Sequence, residues 1–354
     1  MKVRKFLLIF LSSMMLLCIF MASFVYIYDP LLYYRIPEDR VIVNNYRFIN
    51  PGIIKNADYD TVIIGSSMIQ NFNMDSFRDT LNQNPIKVSV GAMSIQGMEL
   101  SYDYIIDQNK AKTIYVAVDL PALAYAEDDL STYATYLYDD SKLNDFKYLL
   151  GYETWMRLLP LNIGMNVLDK TNNLTSDHYV SKSIDDIGDW SKEFAFDASI
   201  VKEQYINKTA QIVDYSTIDL PTRLNDNMLS FIEIFDDFKA KEYVFFFPPY
   251  SMLFWYTIRH FNAVNDYLAI KEDIINRLFV NDNVRVFDFQ SIPETIDLNY
   301  YKDYTHYSPE VNNMMVSYFK SGLYEVKLEE EFSDDLFYER FNSFLEANSE
   351  WLND

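Results

Sequence analysis

The stretch DTVIIGSSMIQNF, residues 60–72, decides how this chain folds. Its run TVII holds only apolar or β-branched residues and ends abruptly at Gly65-Ser66-Ser67. A continuous run of this kind predicts a strand buried on both faces, because a strand with one face in water would alternate apolar and polar residues. The abrupt end has two explanations: an ordinary turn after a strand, or a nucleophilic serine displayed at the strand's carboxyl end.

Similar runs recur along the chain and alternate with helical patterns. The further strand-like runs are IKVSVG (86–91), TIYVAVDL (113–120), EYVFFFPP (242–249) and VRVFDF (284–289). The helical patterns cover residues 94–109, 220–241, 255–279 and 308–322. This alternation predicts an α/β fold, a flavodoxin-like, doubly wound, parallel five-stranded sheet in which reactive groups collect at the carboxyl ends of the strands.

The last of these helices has the clearest boundaries. Ser308 is a residue type that caps helices, Pro309 suits the first turn, and Gly322 suits the position just past the end. The preceding segment YKDYTHY, residues 301–307, is therefore predicted to be a loop between the last strand and the last helix.

The N-terminus predicts a membrane anchor. Residues 6–28 contain no charged side chain, and a helix of that length would span about 34 Å, enough to cross a hydrocarbon core. Lys2, Arg4 and Lys5 precede the run, so the N-terminus is expected in the cytoplasm and the rest of this single-pass cell-membrane protein outside it. The alternative is a cleaved signal peptide, but the apolar run is long for one and lacks a clear small-x-small cleavage site.

The chain is predicted to have four successive parts. These are a cytoplasmic stub with the transmembrane anchor at 1–28, an irregular linker at 29–57, the sheet domain at 58–322 and an acidic helical tail at 323–354. Residues 121–219 break the alternation and are predicted to be a large, mostly helical insertion. It is either a cap over the site or a peripheral subdomain with no ligand role. The tail helix is expected to begin near Ser333, with Phe337, Phe341, Phe344 and Leu345 facing inward.

Composition excludes several classes of function. The formal net charge of −22 argues against a nucleic-acid partner, because phosphates would repel such a surface. The single cysteine, Cys18, allows no intrachain disulfide. The sequence shows neither clustered His and Cys ligands nor a Gly-rich loop with Lys after the first strand, so no metal site and no cofactor are predicted.

A serine nucleophile needs a base, which is usually histidine, and the chain has three. His178 falls in the predicted insertion, and His260 falls on a predicted helix, where a packed or solvated side chain is the simpler reading. His306 lies in the loop before the last helix, and Asp303 precedes it by three residues. One turn can place the carboxylate of Asp303 beside the imidazole of His306, which would fix the tautomer of the ring.

Two motifs at opposite ends of the sheet region resemble those of the SGNH (GDSL-like) hydrolase superfamily. Its first block is Gly-Asp-Ser after the first strand. Here the block reads Gly65-Ser66-Ser67, so Ser67 matches the nucleophile and Ser66 replaces the Asp. Its last block, Asp-x-x-His, is matched by Asp303 and His306. The resemblance implies that Ser67 attacks an acyl donor, with His306 as base and Asp303 as the partner that orients it.

The two middle blocks of the family are matched less completely. The second block supplies a glycine N–H to the oxyanion hole, and Gly91 in VSVGAMSIQG matches it. The resemblance thus implies that the N–H groups of Ser67 and Gly91 hold the oxyanion. The third block supplies an Asn, but this chain reads VAVDLPALAY at residues 116–125 and has none. One oxyanion donor is therefore missing or comes from elsewhere.

A Gly-Ser-Ser block behind a membrane anchor looks like one branch of the superfamily, which includes the teichoic acid D-alanyl transfer protein and the alginate and peptidoglycan O-acetyltransferase-like proteins. The resemblance implies extracytoplasmic O-acylation, with acetyl or D-alanyl groups, of an envelope glycan or teichoic-acid-type polymer. A multi-pass membrane O-acyltransferase is a further candidate partner. Tyr and Trp side chains of the insertion are expected to stack on sugar rings. The alternatives are an O-acyl esterase of such a polymer and a catalytically silent binding or scaffold module.

Overall fold

The computed structural model of the chain describes residues 2–124, 130–174, 180–207, 215, 218–235, 239–240, 242–327 and 333–352. The chain separates into two compact units. We call residues 1–57 with 130–187 the N-terminal unit, and residues 58–129 with 188–354 the sheet unit. The segment expected to form one insertion, 121–219, is thus divided, since only its central part belongs to the N-terminal unit.

The strands and helices are numbered in chain order. The strands are β1 (Ile42–Val43), β2 (Thr61–Gly65), β3 (Pro85–Ser89), β4 (Thr113–Ala117), β5 (Val180–Ser181), β6 (Glu242–Phe247) and β7 (Val284–Asp288). The helices are α1 (Lys2–Tyr28), α2 (Tyr46–Asn56), α3 (Met74–Leu81), α4 (Ile95–Asp107), α5 (Phe146–Leu149), α6 (Leu159–Lys170), α7 (Ala198–Ile206), α8 (Leu220–Glu233), α9 (Met252–Ile258), α10 (Ala263–Leu278), α11 (Pro309–Ser321) and α12 (Asp335–Leu352).

A parallel five-stranded sheet forms the centre of the sheet unit, which confirms the α/β prediction. The strand order is β3-β2-β4-β6-β7, and each neighbouring pair is parallel. Every residue of the three strands β2, β3 and β4 is buried, as the continuous apolar runs require. Gly65 at the end of β2 pairs with Ser89 at the end of β3, so the segments that follow these strands leave the sheet side by side.

Aromatic side chains pack on both faces of the sheet. On one face, Tyr115 of β4 meets Phe77 of α3 and Phe319 of α11, with ring centroids 5.2 and 4.9 Å apart. On the other face, Phe245 of β6 meets Phe235, just beyond α8, at 5.1 Å. Strand residues alternate between faces. In the register Tyr115 lies opposite Val244, so its neighbour Phe245 points the other way. Helices therefore cover both faces, which explains why the strands lack polar alternation.

The prediction of a single long helix over residues 255–279 is wrong. The chain forms two helices, α9 and α10, separated by Asn262 in a left-handed conformation with φ of 57°. Asparagine adopts this conformation more readily than most residues. The apolar periodicity of the sequence continues through the break, so the pattern alone does not reveal it.

Helix α11 has nearly the predicted boundaries, with one difference at its start. Pro309 occupies the first turn, and Gly322 ends the helix with φ of 74°. Ser308 has the extended backbone of a capping residue, but its hydroxyl makes no capping hydrogen bond. Ser308 is therefore the residue at which the helix begins, but its side chain does not cap the helix.

The prediction of an irregular linker at 29–57 is wrong for residues 46–56, which form α2. Ile49 and Ile53, one helical turn apart, are both buried. Gly52 permits close packing, because a Cβ there would lie 2.5 Å from the carbonyl oxygen of Leu31. The segment therefore belongs to a packed body that also includes α6 and the antiparallel pair of β1 and β5.

Helix α1 is the one helix in the described residues that is long and apolar enough to cross a membrane, with a mean hydropathy of 2.5 over its most apolar window. Val25 is its one buried residue. Its aliphatic and aromatic side chains lie on its surface along nearly the whole length. Water is an unfavourable solvent for such a surface.

The acidic tail forms α12, which packs within the sheet unit. Ser333 accepts a hydrogen bond from the N–H of Asp335 at 3.1 Å and so begins the helix. The side chains expected to face inward are Phe337, Phe341 and Phe344, which are buried, and Leu345, which is half-buried. Lys271 of α10 is fully buried and pairs with Asp288 at 2.8 Å and Asp334 at 3.0 Å, which ties the start of the tail to the carboxyl end of β7.

Candidate active site

Two consecutive serines follow β2, and their environments differ. Gly65 approaches β4 closely, because a Cβ there would lie 2.8 Å from the Cβ of Ala117. Ser66 is 2% exposed, and its hydroxyl donates to Asp119 at 2.6 Å. Ser67 begins a short 3₁₀ turn and is half-buried. Ser67 is therefore the serine whose hydroxyl is accessible for chemistry.

The loop between β7 and α11 presents His306 to this turn. An isolated bridge pairs Tyr301 with Tyr307, and the N–H of Lys302 donates to the carbonyl of His306 at 3.1 Å. The hydroxyl of Tyr307 donates to the carbonyl of Met68 at 2.7 Å. This last bond joins the histidine loop to the serine turn across 239 residues of sequence.

Ser67, His306 and Asp303 form a continuous hydrogen-bonded chain. Ser67 Oγ lies 2.9 Å from His306 Nε2. His306 Nδ1 lies 2.9 Å from Asp303 Oδ2 and 3.0 Å from Asp303 Oδ1. Because a carboxylate accepts hydrogen bonds, Nδ1 carries the proton and donates it, so in the neutral ring Nε2 is free to accept the serine proton. The structure thus brings together the three residues predicted to act in catalysis.

Asp303 is held in its charged form. Burial alone would raise its pKa, but hydrogen bonds from the ring and N–H of His306, the charge of that ring and the N–H of Thr305 outweigh burial and hold the pKa of Asp303 well below its usual range. The N–H groups of Thr305 and His306 both donate to Asp303 Oδ1 at 2.8 Å. A fixed carboxylate orients the ring, as a triad requires.

Gly91, predicted to supply an oxyanion donor, lies next to the serine turn in the sheet register. The N–H of Val90 donates to the carbonyl of Gly65 at 3.3 Å, and Gly91 follows directly. A side chain at Gly91 would meet nothing within 4 Å. No steric requirement for glycine therefore exists at this position, and the role of its N–H stays a prediction.

The other two histidines of the sequence are His178 and His260. His178 lies outside the described residues. His260 belongs to the short 3₁₀ turn Arg259–Phe261, as part of the break between α9 and α10. Among the described residues, no group of three or more His, Cys, Asp or Glu side chains has the arrangement of a metal site.

Asp119 is a site residue that sequence reasoning missed. It lies two residues beyond β4, and its Oδ2 accepts the hydroxyl of Ser66 while its Oδ1 accepts the hydroxyl of Tyr250. Burial raises the pKa of Asp119, with opposing contributions from those two hydroxyls and from the charge on His306. The only signal in the sequence was its position in the stretch where the resemblance leads one to expect an Asn.

An aromatic and cationic wall borders His306, and no motif in the sequence indicated it. The ring of Trp190 meets the ring of His306 edge-on at 5.4 Å. Lys302 Nζ lies 3.9 Å from the Trp190 ring centre, 4.1 Å from that of Phe194 and 3.9 Å from Asp303 Oδ2. Burial lowers the pKa of Lys302, against the raising effect of Asp303. Indole and lysine together suit a sugar-like or anionic ligand.

A narrow cavity of about 20 Å³ extends beside Ser66 and Asp119. Its walls are mostly apolar and include Met93, Met98, Leu123 and Phe231. Its size is close to that of one water molecule, or of a small group such as a methyl.

Comparison of the chain with protein-family models finds no match, and comparison with curated proteins finds none either.

Proposed function

We propose that this chain is a membrane-anchored, extracytoplasmic serine acyltransferase that places small acyl groups, such as acetyl or D-alanyl, on hydroxyls of a cell-envelope polysaccharide or teichoic-acid-type polymer. The observation that carries the proposal is the geometry of the Ser67–His306–Asp303 chain. A serine with an accessible hydroxyl 2.9 Å from an imidazole, itself fixed by a charged carboxylate, is the arrangement used for nucleophilic acyl chemistry.

Formation of the acyl-enzyme is the first half of the proposed reaction. His306 Nε2 takes the proton of Ser67 as Ser67 Oγ attacks the carbonyl carbon of the acyl donor. The N–H groups of Ser67 and Gly91 stabilise the oxyanion of the tetrahedral intermediate. The intermediate collapses as the bond to the leaving group breaks, and His306 returns the proton to that group. Asp303 remains charged throughout and stabilises the protonated ring.

Transfer of the acyl group is the second half. An acceptor hydroxyl gives its proton to His306 Nε2 and attacks the ester carbonyl of the acylated Ser67. The ester bond breaks, and Ser67 recovers its proton from His306. The wall formed by Trp190, Phe194 and Lys302 borders the ring that accepts this proton, so it is placed to hold the acceptor.

The fold and the N-terminal helix support the wider assignment. Counted within the sheet alone, the strand order corresponds to 2-1-3-4-5, which is the order of flavodoxin-like sheets, and the serine and histidine loops follow the first and last strands. We propose on this basis an SGNH-like domain. The exposed apolar surface of α1 and the basic residues before it support a single-pass anchor with the sheet unit outside the cell.

A serine-reactive fluorophosphonate tests the proposal on the full-length chain in a neutral detergent. We expect one adduct, located by mass on Ser67, because His306 activates that hydroxyl. Ser67→Ala should abolish labelling, and His306→Ala should slow it by about 10³-fold or more. Ser76→Ala is a matched control, because Ser76 is a half-buried serine of the same unit that lies on α3.

Labelling of Ser67→Ala at the wild-type rate would overturn the proposal, and so would equal labelling of wild type and His306→Ala. If Ser67 is labelled, an aryl ester donor then separates the transferase from the esterase. In the presence of glycerol as a polyol acceptor, a transferase forms the acylated polyol in preference to free acid. An esterase releases free acid at the same rate with or without glycerol.

A catalytically silent module that binds polymer or supports a membrane acyltransferase is the second candidate, and Asp119 is the observation that favours it. Where the resembled family supplies an amide donor, this chain has a carboxylate that already accepts two hydroxyls. A strain without the protein distinguishes the two candidates. Full restoration of envelope acylation by Ser67→Ala would assign the silent role, and restoration by the wild type alone would assign catalysis.

A further inference from the structure

A cavity of about 420 Å³ lies at the end of α1 within the N-terminal unit, and its lining includes no residue of the serine site. Its volume is within the usual range of about 300–1,000 Å³ for small-molecule sites. Its walls differ in character. One is apolar and belongs to the last turns of α1, and the other is cationic and comes from the segment after α1 and from the end of α6.

The apolar wall consists of residues that extend the exposed surface of α1. Phe24 and Ile27 line the cavity and are 39% and 70% exposed. In a membrane-spanning helix these side chains face acyl chains. Tyr26 and Tyr28, near its end, are residue types that concentrate at the membrane–water interface. The cavity therefore lies at the depth where lipid headgroups lie.

The cationic wall is built on the end of the same helix. Arg35 Nη1 donates to the carbonyl of Ile27 at 2.9 Å, and Arg40 Nη2 donates to the carbonyl of Asp29 at 2.6 Å. The Arg40 guanidinium also stacks on the ring of Tyr28, at 4.4 Å from its centre. These contacts fix both guanidinium groups beside the apolar wall. Each guanidinium carries five N–H donors, in a geometry that matches phosphate oxygens.

The local charge contrasts with that of the whole chain. Arg35, Arg40 and Lys170 line the cavity, against a single carboxylate, Asp39. The chain as a whole carries a formal charge of −22. A cluster of cations in so acidic a chain, fixed next to the exposed end of an apolar helix, is the arrangement by which membrane proteins bind anionic headgroups.

We propose that this cavity binds the phosphate headgroup of an anionic phospholipid, with Arg35, Arg40 and Lys170 on the phosphate and the acyl chains along Phe24 and Ile27. The site would fix the height and rotation of the N-terminal unit at the membrane surface. The proposal rests on α1 crossing the membrane, which is part of the proposed function, and does not depend on catalysis by Ser67.

Native mass spectrometry of the full-length chain in a neutral detergent tests this site, with phosphatidylglycerol as the probe and phosphatidylcholine as its zwitterionic comparison. We expect phosphatidylglycerol to be retained in preference. Arg35→Gln, Arg40→Gln and Lys170→Gln should each weaken retention by about fivefold. Lys182→Gln is the matched control, because Lys182 is an exposed lysine of the same unit that pairs with Asp169 and does not line the cavity.

Several outcomes would overturn the proposal. These are equal retention of the two lipids, an equal effect of Lys182→Gln, and displacement of the lipid by glycerol 3-phosphate at a similar concentration, which would assign the site to a soluble phosphate compound. The arginines also hold the end of α1, so their variants are open to misfolding. Lys170 is an exposed end-of-helix residue, and Lys170→Gln decides the question if the arginine variants misfold.

Retention of phosphatidylglycerol can be judged independently of the fluorophosphonate labelling of Ser67. Ser67→Ala is expected to retain phosphatidylglycerol like the wild type, whatever the labelling experiment shows. The mass of the chain purified from membranes reports whether α1 is still present. A chain cleaved after α1 would overturn the anchor and this site together, and would leave the chemistry of Ser67 to be judged by its own labelling.

Discussion

Asp303 and Asp119 are two carboxylates at the same edge of the sheet, and their surroundings push their pKa values in opposite directions. Asp303 accepts hydrogen bonds from backbone N–H groups and from the ring of His306, which lower its pKa in spite of burial. Asp119 accepts two hydroxyls, from Ser66 and Tyr250, and burial raises its pKa. Burial thus dominates at Asp119, whereas hydrogen bonds to the charged form dominate at Asp303.

Burial is the largest influence on both pKa values, and the donors determine whether it is outweighed. A backbone N–H and a histidine ring present fixed dipoles or a full charge to the carboxylate, whereas a hydroxyl rotates and also bonds well to the neutral acid. Environments that separate the pKa values of two acids are a common way to give them different roles. Asp303 is therefore suited to stabilise a protonated His306, whereas burial favours the neutral form of Asp119 beside the serine turn.

Removal of the charge of Asp303 is expected to have the largest effect. Asp303→Asn should slow the acylation of Ser67 by about 10⁴-fold, because an amide neither fixes the tautomer nor stabilises the protonated ring. The labelling rate with the fluorophosphonate measures the effect, and the thermal unfolding midpoint checks that the loop remains folded. A rate within tenfold of the wild type would show that Asp303 is a structural residue of its loop.

Removal of the charge of Asp119 is expected to act in the opposite direction. At a pH above the pKa of Asp119, Asp119→Asn should raise the rate of acylation about tenfold, equivalent to ~1.4 kcal/mol, because it removes a negative charge beside the serine turn and supplies N–H donors. The hydrolysis of a small aryl ester measures it. A lower rate would show that the carboxylate of Asp119 is needed in its charged form, and an unchanged rate at every pH would show that its charge does not affect the reaction.

The gain from Asp119→Asn should depend on pH, with a definite sign. The folded pKa of Asp119 is raised, so the wild-type group is neutral below that pKa and charged above it. The ratio of variant to wild-type rates should therefore increase as the pH rises through the pKa of Asp119 and approach one below it. Taking the ratio at each pH cancels the titration that both proteins share. A ratio that is constant with pH would contradict this account.

The two carboxylates also differ in how far the sequence predicts them. Asp303 and His306 are three residues apart in a loop before a well-marked helix, so local spacing alone suggested their contact. The bond from Ser66 to Asp119 spans 53 residues and exists because β2 and β4 are neighbours in the sheet. No local sequence pattern indicates that β2 and β4 are neighbours. The five strands themselves were predictable from their apolar runs.

The rest of the molecule follows the same division between local and non-local causes. Gly322 ends α11 as predicted, because a left-handed end of a helix is a local property of glycine. Trp190 lies beside His306 from a region without periodicity, and only the tertiary fold brings the two rings together. Asn262 interrupts an apolar periodicity that continues on both sides. The periodicity therefore predicted a single helix, because an asparagine within it does not clearly indicate a break.

Asp303 and Asp119 each accept a hydrogen bond from a hydroxyl, and removal of these hydroxyls allows a comparison of smaller effects on the rate. The hydroxyl of Thr305 donates to Asp303 Oδ1 at 2.9 Å, in addition to the N–H of the same residue. Thr305→Val removes the hydroxyl and keeps the shape and the N–H. We expect acylation of Ser67 to fall by about fivefold, from the loss of one hydrogen bond, worth ~1 kcal/mol in the transition state. Fluorophosphonate labelling measures the change, and a loss comparable with that of Asp303→Asn would show that the hydroxyl positions the carboxylate.

Tyr250→Phe is the corresponding change at Asp119, and its effect should be the smallest and of the opposite sign. The hydroxyl of Tyr250 lowers the pKa of Asp119, so its removal raises that pKa further and keeps the carboxyl neutral to a higher pH. Where the charge on Asp119 opposes the reaction, the variant should react about twofold faster than the wild type. In the Tyr250→Phe background, the ratio of the rate with Asp119→Asn to the rate without it should also begin to rise at a higher pH. If Tyr250→Phe reacts more slowly, Tyr250 assists the reaction directly, and the account in which the charge on Asp119 opposes the reaction is wrong.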